Sequence, residues 1–554
     1  MTGRKLLRFR RGGSRSIRPG FVLAGALFLT CLLGPAGGST AGLHPAGLDP
    51  LADSVRTALT GTQGQAEVGL LAISLDRGDT LVALHPGLRL IPGSSAKLLT
   101  TSAFLRRFGP AARCTTVVEA RGRAERTSKG GIRLKGDLIL RASGAPDVTQ
   151  LLVPGSRGLL DSLATLLRAG GLDRFEGTLW IDGTLFAAEP YAPSWALEDV
   201  PQAYGAPVNA IMANGNAAAL VATAEPRGVI LSFEPPEVPL TIESTVEVVG
   251  PGDPGWLEVD RRPFESRIRV RGAVPLGATV RKQVSVADPD STAGLVLLGA
   301  LERAGVELKN ARVRLVPHAR SLASALGQGA AKAKDDAVPP PRGSASGWDQ
   351  VSRDRTAIVV AHASPTAADM VGIVNSVSLN AEAEALLRLL DRAPAEKHRD
   401  AGLREVRRLA AEAGVDTLDL SLVDGSGLSP QNLLTARSLV RWLWVHGRDS
   451  TVAASFRDRL ATPGSLGTLK NRFVGLDPRT ELRAKTGTLT NVSALAGYVR
   501  DADGERIAFA MITNGNRGSV VPARQTEETV VGLLSRYRRE AAAKAPVAPT
   551  RIPR

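Results

Sequence analysis

A change of pattern along the chain constrains the fold more than any other feature of the sequence. Both ends combine apolar helical patterns with short strands, whereas residues from about 114 to 317 are strand-like and rich in valine, glycine and proline. Few helical patterns interrupt that middle region, notably "GLLDSLATLLRAGG" and "STAGLVLLGALERAGV". A chain of 554 residues is also too long for one core, since domains of about 100–200 residues are usual. We therefore predict a helix-rich domain that is split by a large β-rich insertion.

The same patterns suggest where the domains begin and end. Residues 42–116 and 356–540 are predicted to form the split domain, and residues 117–355 the insertion, which we expect to contain two subdomains. A flexible linker is predicted near residues 326–350, where glycine, alanine and proline dominate. Residues 541–554 are predicted to be a disordered tail, because they are rich in alanine and proline.

Within the split domain, local patterns predict two hairpins and several helices. The segment "EVGLLAISLDRGDTLVALHP" turns at residues 76–79, and "ALAGYVRDADGERIAFAMITNG" turns at Asp503-Gly504. An apolar helix follows Ser94 and is stopped by Gly109-Pro110. The segment "ARQTEETVVGLLSRYRREAAAK" predicts an amphipathic helix near the end of the chain.

Residues 1–41 have the pattern of an export signal. Residues 1–42 carry seven basic side chains and no acidic ones, and the 14-residue apolar run Phe21–Gly34 precedes small residues, "PAGGSTAG". This order is typical of a secretory signal peptide, and the run is shorter than the roughly 20 residues of a membrane-spanning helix. We predict cleavage after Ala41 and a periplasmic or other extracytoplasmic location, with an uncleaved anchor as the alternative.

The formal net charge of +15 does not indicate a nucleic-acid partner. The first 42 residues hold seven basic side chains, and the region from Arg536 onward holds six basic and one acidic, which leaves +3 for the rest. Nucleic-acid-binding domains concentrate basic residues on the folded body. We therefore predict no nucleic-acid partner.

The residues that usually hold metals or form disulfides show no supporting pattern. Of the two cysteines, Cys31 lies in the predicted signal, so that Cys114 would be alone after cleavage. The six histidines show no metal-ligand spacing, and no G-x-S-x-G or Walker A string occurs. We predict that the protein uses no metal and no cofactor.

The stretch "PGSSAKLLTTSAFLRRFG", which begins at Pro92, contains a possible nucleophile. Residues three apart lie on one face of a helix, so Ser94 and Lys97 would point the same way. A partly desolvated lysine can be the base that activates a serine hydroxyl. Taken alone, the pattern favours the other interpretation, a helix-capping serine followed by a solvated lysine.

Two further short motifs lie later in the chain. Ser378-Leu379-Asn380 precedes an apolar helix, where either polar residue could also be an N-cap. Lys485-Thr486-Gly487 lies on a predicted strand. Because strand interiors disfavour glycine, we expect a ligand to approach the backbone at Gly487.

In the order S-x-x-K, S-x-N, K-T-G, the three motifs form the signature of penicillin-binding proteins and serine β-lactamases. The sequence more narrowly resembles the D-alanyl-D-alanine carboxypeptidase/endopeptidase family of class C, low-molecular-mass penicillin-binding proteins (penicillin-binding-protein-4-like, peptidase family S13). The resemblance spans nearly all of residues 45–540 and includes "GDLILRASGAPDV", "LWIDGTLF", "YAPSWALEDVPQAYGAPVNAIMANGN", "DGSGLSPQNLLTARSLVRWL" and "LATPGSLGTLKNRF".

The spacing of the motifs separates the possible families. Ser94 and Ser378 are 284 positions apart. Members of the family have a large insertion between these two motifs, whereas a β-lactamase has no room for one. Two features depart from the family pattern: Leu379 stands where aspartate is frequent, and the linker near residues 326–350 has no counterpart.

The resemblance implies a fold and an acyl-transfer site. The fold is of the α+β (α/β) class, a serine β-lactamase/transpeptidase-like domain with an antiparallel sheet flanked by helices, split by the insertion. Ser94 would attack the carbonyl between two D-alanines and Lys97 would take its proton. Ser378 would relay a proton to the leaving amine, and Asn380 would hold the substrate amide. The charge of Lys485 would help to keep Lys97 neutral.

The resemblance also implies how substrate is held. Lys485 and Thr486 would bind the terminal carboxylate, and Gly487 would let the substrate lie along the strand. Backbone N–H groups of Ser94 and Thr488 would form the oxyanion hole.

The function implied is that of an exported serine DD-peptidase that removes the terminal D-alanine of peptidoglycan stem peptides, cleaves crosslinks, or does both. β-Lactam antibiotics would be inhibitors, because they acylate the same serine. Two alternatives are a β-lactamase-like hydrolase and a non-catalytic cell-wall-binding scaffold on the same fold. The balance of activities, peripheral membrane association and the oligomeric state are left open.

Overall fold

The computed structural model describes residues 50–63, 66–128, 130–318, 345–391 and 397–539. The predicted signal peptide, the predicted tail and most of the predicted linker lie outside these ranges. The described residues all belong to one compact unit.

In the described ranges the strands are, in chain order, β1 (Glu67–Ser74), β2 (Thr80–Leu84), β3 (Thr115–Arg126), β4 (Ile132–Arg141), β5 (Leu172–Asp182), β6 (Ala217–Glu225), β7 (Gly228–Glu234), β8 (Thr241–Val249), β9 (Trp256–Asp260), β10 (Arg267–Pro275), β11 (Thr279–Ser285), β12 (Glu307–Leu315), β13 (Ala357–Ala363), β14 (Leu420–Ser421), β15 (Leu433–Leu434), β16 (Arg483–Leu489), β17 (Val492–Arg500) and β18 (Arg506–Asn514). The α-helices are α1 (Pro50–Gln63), α2 (Lys97–Phe108), α3 (Thr149–Leu152), α4 (Leu159–Ala169), α5 (Pro289–Arg303), α6 (Ala367–Ile373), α7 (Asn380–Leu389), α8 (Arg399–Glu412), α9 (Ala436–His446), α10 (Ala453–Arg457) and α11 (Val521–Arg536).

The two ends of the chain meet in one antiparallel sheet. Its order is β16-β17-β18-β1-β2, so β1 from the start of the chain pairs directly with β18 from its end. Both predicted hairpins form, because β1 pairs with β2 and β17 pairs with β18. The sheet is the framework on which residues distant in sequence can share one site.

Helices cover both faces of this sheet, which explains why its central strands are apolar on both sides. Residues of α1 and α11 pack on one face in a core that includes Leu70 and Phe509. Residues of α2, α7, α8 and α9 pack on the other face in a larger core that includes Ile73 and Ala510. The predicted α+β class, an antiparallel sheet flanked by helices, is confirmed by this architecture and by the structural comparison given below.

The inserted region contains two separate β-structures. A five-stranded mixed sheet, in the order β12-β5-β4-β3-β13, packs one face against α4 and α5. Between β5 and α5 the chain adds two three-stranded sheets, β8-β10-β9 and β11-β6-β7, which share a core of their own. The division of the chain into domains stays a prediction, but these cores lie where two subdomains were expected.

Two predicted limits differ from the structure. The strand β13 pairs with β3, so the sheet of the inserted region extends to Ala363, past the predicted boundary at 356. Ala345–Gln350 form a 3₁₀ helix in which Trp348 is 4% exposed and packs in the core beneath the mixed sheet. The linker was therefore predicted to extend too far, because composition alone does not show that a single tryptophan is buried.

Candidate active site

Ser94 and Lys97 lie where the chain enters α2. A 3₁₀ turn, Gly93–Ala96, leads directly into the helix at Lys97. The Lys97 side chain is fully buried, with Nζ 2.9 Å from Ser94 Oγ. It also donates to Asn380 Oδ1 at 2.5 Å and to the carbonyl of Ser426 at 2.6 Å. The interpretation of Lys97 as a solvated surface charge is therefore wrong.

Burial disfavours the charged form of this lysine. It lowers the pKa of Lys97 to about 7, against the opposing effect of three carboxylates, Asp424, Glu384 and Glu382. Burial and the nearby charge of Lys97 also lower the pKa of Lys485 well below its ordinary value. A partly desolvated Lys97 was expected, helped by the charge of Lys485, and desolvation is the main cause in the structure.

The second motif brings a serine and an amide to the same place. A π-helical turn, Val374–Ser378, ends with Ser378 in the left-handed region at φ 72°, a conformation that costs about 1–3 kcal/mol in a residue with a side chain. Ser378 Oγ accepts a hydrogen bond from Lys485 Nζ at 2.8 Å. The helix α7 begins at Asn380, and its N-cap, Leu379, makes no side-chain capping bond. Neither polar residue of the motif is thus the N-cap.

The third motif forms the edge strand β16. Lys485 is fully buried and donates to Ser378 and to the Thr486 carbonyl, also at 2.8 Å. Thr488 is exposed, and its hydroxyl oxygen accepts from Arg524 Nη2 at 3.2 Å. The structure thus places all three motifs around Ser94.

Gly487 lies closely against the backbone of the chain itself. A Cβ at this position would lie 2.2 Å from the carbonyl oxygen of Pro92. A Cβ at Gly93 would likewise lie 2.9 Å from the backbone nitrogen of Thr488. The chain's own turn therefore already requires glycine at 487, so that the approach of a ligand there stays a prediction, and this contact holds the Thr488 amide beside the Ser94 turn.

The turn Asp424–Gly427 was not predicted to take part. Asp424 accepts from the N–H groups of Gly427 and Ser429 and from Asn432 Nδ2, each at 2.7 Å, and from Trp195 Nε1 at 3.0 Å. The turn carries Ser426, whose carbonyl holds Lys97. The aspartate–glycine sequence "DGSG" is a turn signal, but nothing in the sequence indicated that the turn faces Lys97.

The inserted region also reaches the site. Asn380 Nδ2 donates to the carbonyl of Tyr204 at 2.8 Å. Ser194 Oγ lies 3.0 Å from Ser429 Oγ, and Trp195 bonds Asp424 as described. The segment "YAPSWALEDVPQAYG" was noted for its resemblance, but its residues alone gave no reason to place it here.

Metal-binding, membrane-spanning and thiol features of the described ranges complete the picture of the site. No group of three or more His, Cys, Asp or Glu side chains there is arranged to hold a metal ion. In the same ranges no helix combines the length and the apolar character needed to cross a membrane. A cavity of about 280 Å³ at the far end of α2 is lined by Phe104, Met370 and Cys114 among others. Burial raises the pKa of the Cys114 thiol to about 11, so it is a poor nucleophile at neutral pH.

A helix-flanked antiparallel sheet with a serine–lysine pair at the start of a buried helix defines the serine β-lactamase/transpeptidase-like class. Within that class, the chain belongs to the D-Ala-D-Ala carboxypeptidase 3 (S13) family, whose model matches residues 51–326 and 347–537. The predictions of the family and of a serine-type D-Ala-D-Ala carboxypeptidase are thereby confirmed.

Individual relatives agree with this assignment. The chain is 29% identical over 484 residues to a D-alanyl-D-alanine carboxypeptidase of Actinomadura sp., covering 85% of this chain and 81% of that protein. It is 22% identical over 464 residues to the D-alanyl-D-alanine carboxypeptidase DacB of Haemophilus influenzae, covering 81% and 86%. The crystal structure of penicillin binding protein 4 from H. influenzae matches with a TM-score of 0.67 and 20% identity, covering 87% of this chain and 99% of that chain.

Proposed function

We propose that the protein is an exported serine DD-peptidase that acts through a Ser94 acyl-enzyme. Its substrates would be peptidoglycan stem peptides ending in D-Ala-D-Ala and the crosslinks between them, and β-lactams would acylate the same serine. One observation carries the proposal: the Nζ atom of a fully buried lysine, Lys97, lies 2.9 Å from the hydroxyl of Ser94.

The hydrogen bonds of Lys97 give the direction of proton transfer. A neutral amine has two N–H bonds and one lone pair. Asn380 Oδ1 and the Ser426 carbonyl oxygen can only accept, and they take the two N–H bonds. The lone pair is then left for the Ser94 hydroxyl. Because the pKa of Lys97 is about 7, a large share of the enzyme has this base available at neutral pH.

The first chemical step forms the acyl-enzyme. Ser94 Oγ bonds to the carbonyl carbon between the two D-alanines while its proton passes to Lys97 Nζ. The backbone N–H groups of Ser94 and Thr488 would stabilise the negative oxygen, at about 3 kcal/mol per donor. Ser378 Oγ, which accepts from Lys485, can relay a proton: it gives its own to the leaving nitrogen as the C–N bond breaks and takes in exchange the proton that Lys97 received.

The terminal carboxylate of the substrate would bind at β16. Lys485 supplies charge, and the hydroxyls of Thr486 and Thr488 supply hydrogen bonds. Because Thr488 Oγ1 already accepts from Arg524, its own hydrogen is free to point to a carboxylate. The arriving negative charge favours the protonated form of Lys485.

Water completes the cycle by hydrolysing the ester. Lys97, neutral again after acylation, takes a proton from the water that attacks the ester carbonyl and passes it to Ser94 Oγ as the bond from that oxygen to the acyl carbon breaks. If the leaving amine is D-alanine, the reaction is a carboxypeptidase reaction; if it belongs to a neighbouring stem peptide, a crosslink is opened. The same site can perform both, since only the leaving group differs.

Two further observations support the partners and location proposed. The H. influenzae penicillin binding protein 4 has also been solved in complex with a novel β-lactam, and that structure matches this chain with a TM-score of 0.62. The pattern of residues 1–41, which lie outside the described residues, is the basis for proposing export.

Intact-protein mass spectrometry tests the proposal. Residues 42–554 are incubated with benzylpenicillin, beside the Ser94→Ala variant. We expect one covalent adduct on the Ser94 peptide, absent from the variant, and release of D-alanine from a pentapeptide substrate. Intact drug with no adduct would favour the scaffold alternative. Rapidly opened drug with no adduct would favour a β-lactamase.

A further inference from the structure

A buried carboxylate that the proposed chemistry does not use lies directly behind the base. Glu384 is on α7, one helical turn after Asn380, and is 1% exposed. Residues four apart share a helix face, so both side chains point to the same region as Lys97. Burying a carboxylate is costly unless it has polar partners, and those of Glu384 lie next to the active site.

Its partners belong to the turn that holds Lys97. Glu384 Oε1 accepts from the N–H groups of Gly425 and Ser426, at 2.8 and 2.7 Å. The carbonyl of Ser426 in turn accepts from Lys97 Nζ at 2.6 Å. A second tether comes from α2, where Thr100 Oγ1 donates to the Gly425 carbonyl at 2.8 Å. Only one residue, Ser426, therefore separates the carboxylate from the base.

The turn Asp424–Gly427 is closely packed against its neighbours. A Cβ at Gly425 would lie 2.9 Å from the Cβ of Leu387, and one at Gly427 would lie 2.0 Å from the carbonyl oxygen of Gly93. Such contacts show that the turn is packed against both α7 and the Ser94 turn. A displacement of the turn would consequently be passed on to the reacting atoms.

Charged groups lie around both Lys97 and Glu384. Lys97 faces the carboxylates of Asp424, Glu384 and Glu382, and the ammonium of Lys485. The groups that face Glu384 are Asp424 and Arg388. Within the described residues Glu384 Oε2 is buried without a hydrogen-bond partner. Burial and the charge of Asp424 raise the pKa of Glu384, whereas the charge of Arg388 and the hydrogen bond from Ser426 favour its ionised form.

We propose that Glu384 is a positioning residue for the base. Its carboxylate fixes the Gly425–Ser426 peptide so that the Ser426 carbonyl orients Lys97, and its negative charge sets the pH at which Lys97 accepts the proton of Ser94. This inference rests on the proposed function.

The test compares four variants by the second-order rate constant of acylation by benzylpenicillin, between about pH 5 and pH 9. Glu384→Gln keeps an acceptor oxygen but removes the charge, so the rising limb of the profile moves about 1 pH unit lower. Glu384→Ala also frees the turn, and its plateau falls about 100-fold. Thr100→Val loosens the turn without changing charge, so the plateau falls and the midpoint stays. Glu119→Gln, a buried carboxylate of the mixed sheet that pairs with Arg141 at 3.1 Å, leaves both the plateau and the midpoint unchanged.

A second measurement does not depend on turnover. With only 12 lysines in the chain, carbon-13 labelling of lysine Cε gives a resonance for Lys97, assigned by its loss in Lys97→Met. Its titration midpoint falls in Glu384→Gln if the inference is right. A wild-type profile with a limb near neutral pH that is identical in folded Glu384→Gln and Glu384→Ala would overturn the inference alone. Absence of acylation in the wild type would instead remove the proposed function, and this inference with it.

Discussion

Two buried lysines, Lys97 and Lys485, decide the chemistry at the scale of single residues. Each is fully buried, so desolvation disfavours its charged form, and the charge of Lys97 further disfavours that of Lys485. In the proposed reaction a substrate carboxylate binds at Lys485 and favours its charged form. That charge then disfavours protonation of Lys97. Binding of the substrate would thereby prepare the base for the next step.

The pH dependence of acylation follows from the lowered pKa of Lys97. Only the neutral amine can accept the serine proton, so the rate constant falls about tenfold per pH unit below the pKa. Since that pKa is about 7, the rate constant for acylation by benzylpenicillin should rise through neutral pH and then level off. Stopped-flow measurement across this range checks the prediction. A rate constant that is flat below neutral pH would show that Lys97 is not the base.

Arg524 gives a second prediction at this scale. Its guanidinium donates to Thr488 Oγ1 at 3.2 Å, and so leaves the threonine hydrogen for the substrate carboxylate. Because an exposed charged contact is worth about 1 kcal/mol, Arg524→Gln should raise KM about fivefold and leave kcat nearly unchanged, while Arg524→Lys should be milder. The control is a peptide whose terminal carboxylate is replaced by an amide. Its KM should be the same in all three proteins, and an equal rise for both peptides would contradict the assignment.

At the scale of elements, the Ser94 turn is clamped between two pieces of backbone that lack side chains. Gly487 of β16 faces the Pro92 carbonyl, and Gly427 faces the Gly93 carbonyl. The edge strand and the Asp424–Gly427 turn thus approach the nucleophile from two sides. The position of Ser94 is set by main-chain packing as well as by the start of α2.

Filling one side of this clamp should displace the nucleophile. In Gly487→Ala the new Cβ would lie 2.2 Å from the Pro92 carbonyl oxygen, so the turn must move. A shift of about 1 Å can cost about 100-fold in rate. We expect the acylation rate constant to fall by that factor and the melting temperature to fall with it. The matched control is Gly158→Ala in the inserted region, where the nearest atoms are 3.4 Å away and both quantities should be unchanged.

Local signals predicted several of these elements. The spacing of apolar residues, together with turn residues, predicted both hairpins, the helix after Ser94 and the helix at the end of the chain. Glycine at 487 was predicted to admit a ligand, and no local pattern indicated that the Pro92 carbonyl lies against it. The order of the motifs predicted that Ser94, Lys97 and Lys485 share one site, yet no local signal showed that Lys97 is fully buried. Burial depends on the whole packed core, which a short pattern does not describe.

At the scale of the whole molecule, the inserted region is continuous with the active site. Its two ends are hydrogen-bonded to each other, since the backbone of Cys114 accepts from Ser364 N at 2.9 Å and donates to Ser364 Oγ at 3.0 Å. The segment of the inserted region that contains Trp195 and Tyr204 is hydrogen-bonded to Asp424 and Asn380 of the active site. The strand-like pattern, rich in valine, glycine and proline, predicted the insertion. It did not predict these contacts, because residues 229 and 176 positions apart carry no common local pattern.

The contact between the inserted region and the site can be tested by removing one hydrogen bond. The Asp424 carboxylate accepts four hydrogen bonds, from Trp195, Gly427, Ser429 and Asn432. Trp195→Phe keeps an aromatic ring but removes one of them, from the indole N–H at 3.0 Å. Losing a bond to a buried carboxylate costs about 1.5–3 kcal/mol, and Asp424 begins the turn that holds Lys97. We expect a lower melting temperature together with an acylation rate constant about tenfold lower.

Trp180→Phe is the matched control, because Trp180 Nε1 donates to Asp137 at 3.3 Å within the mixed sheet of the inserted region. Both variants lose an indole–carboxylate bond, so both should lose stability, but only Trp195→Phe should slow acylation. If both variants slow acylation equally, the effect is one of general stability. If neither does, the inserted region contributes no contact that the reaction needs. A loss confined to Trp195→Phe would show that this family's insertion helps to hold the base, and that the catalytic unit is therefore larger than the split domain that carries the three motifs.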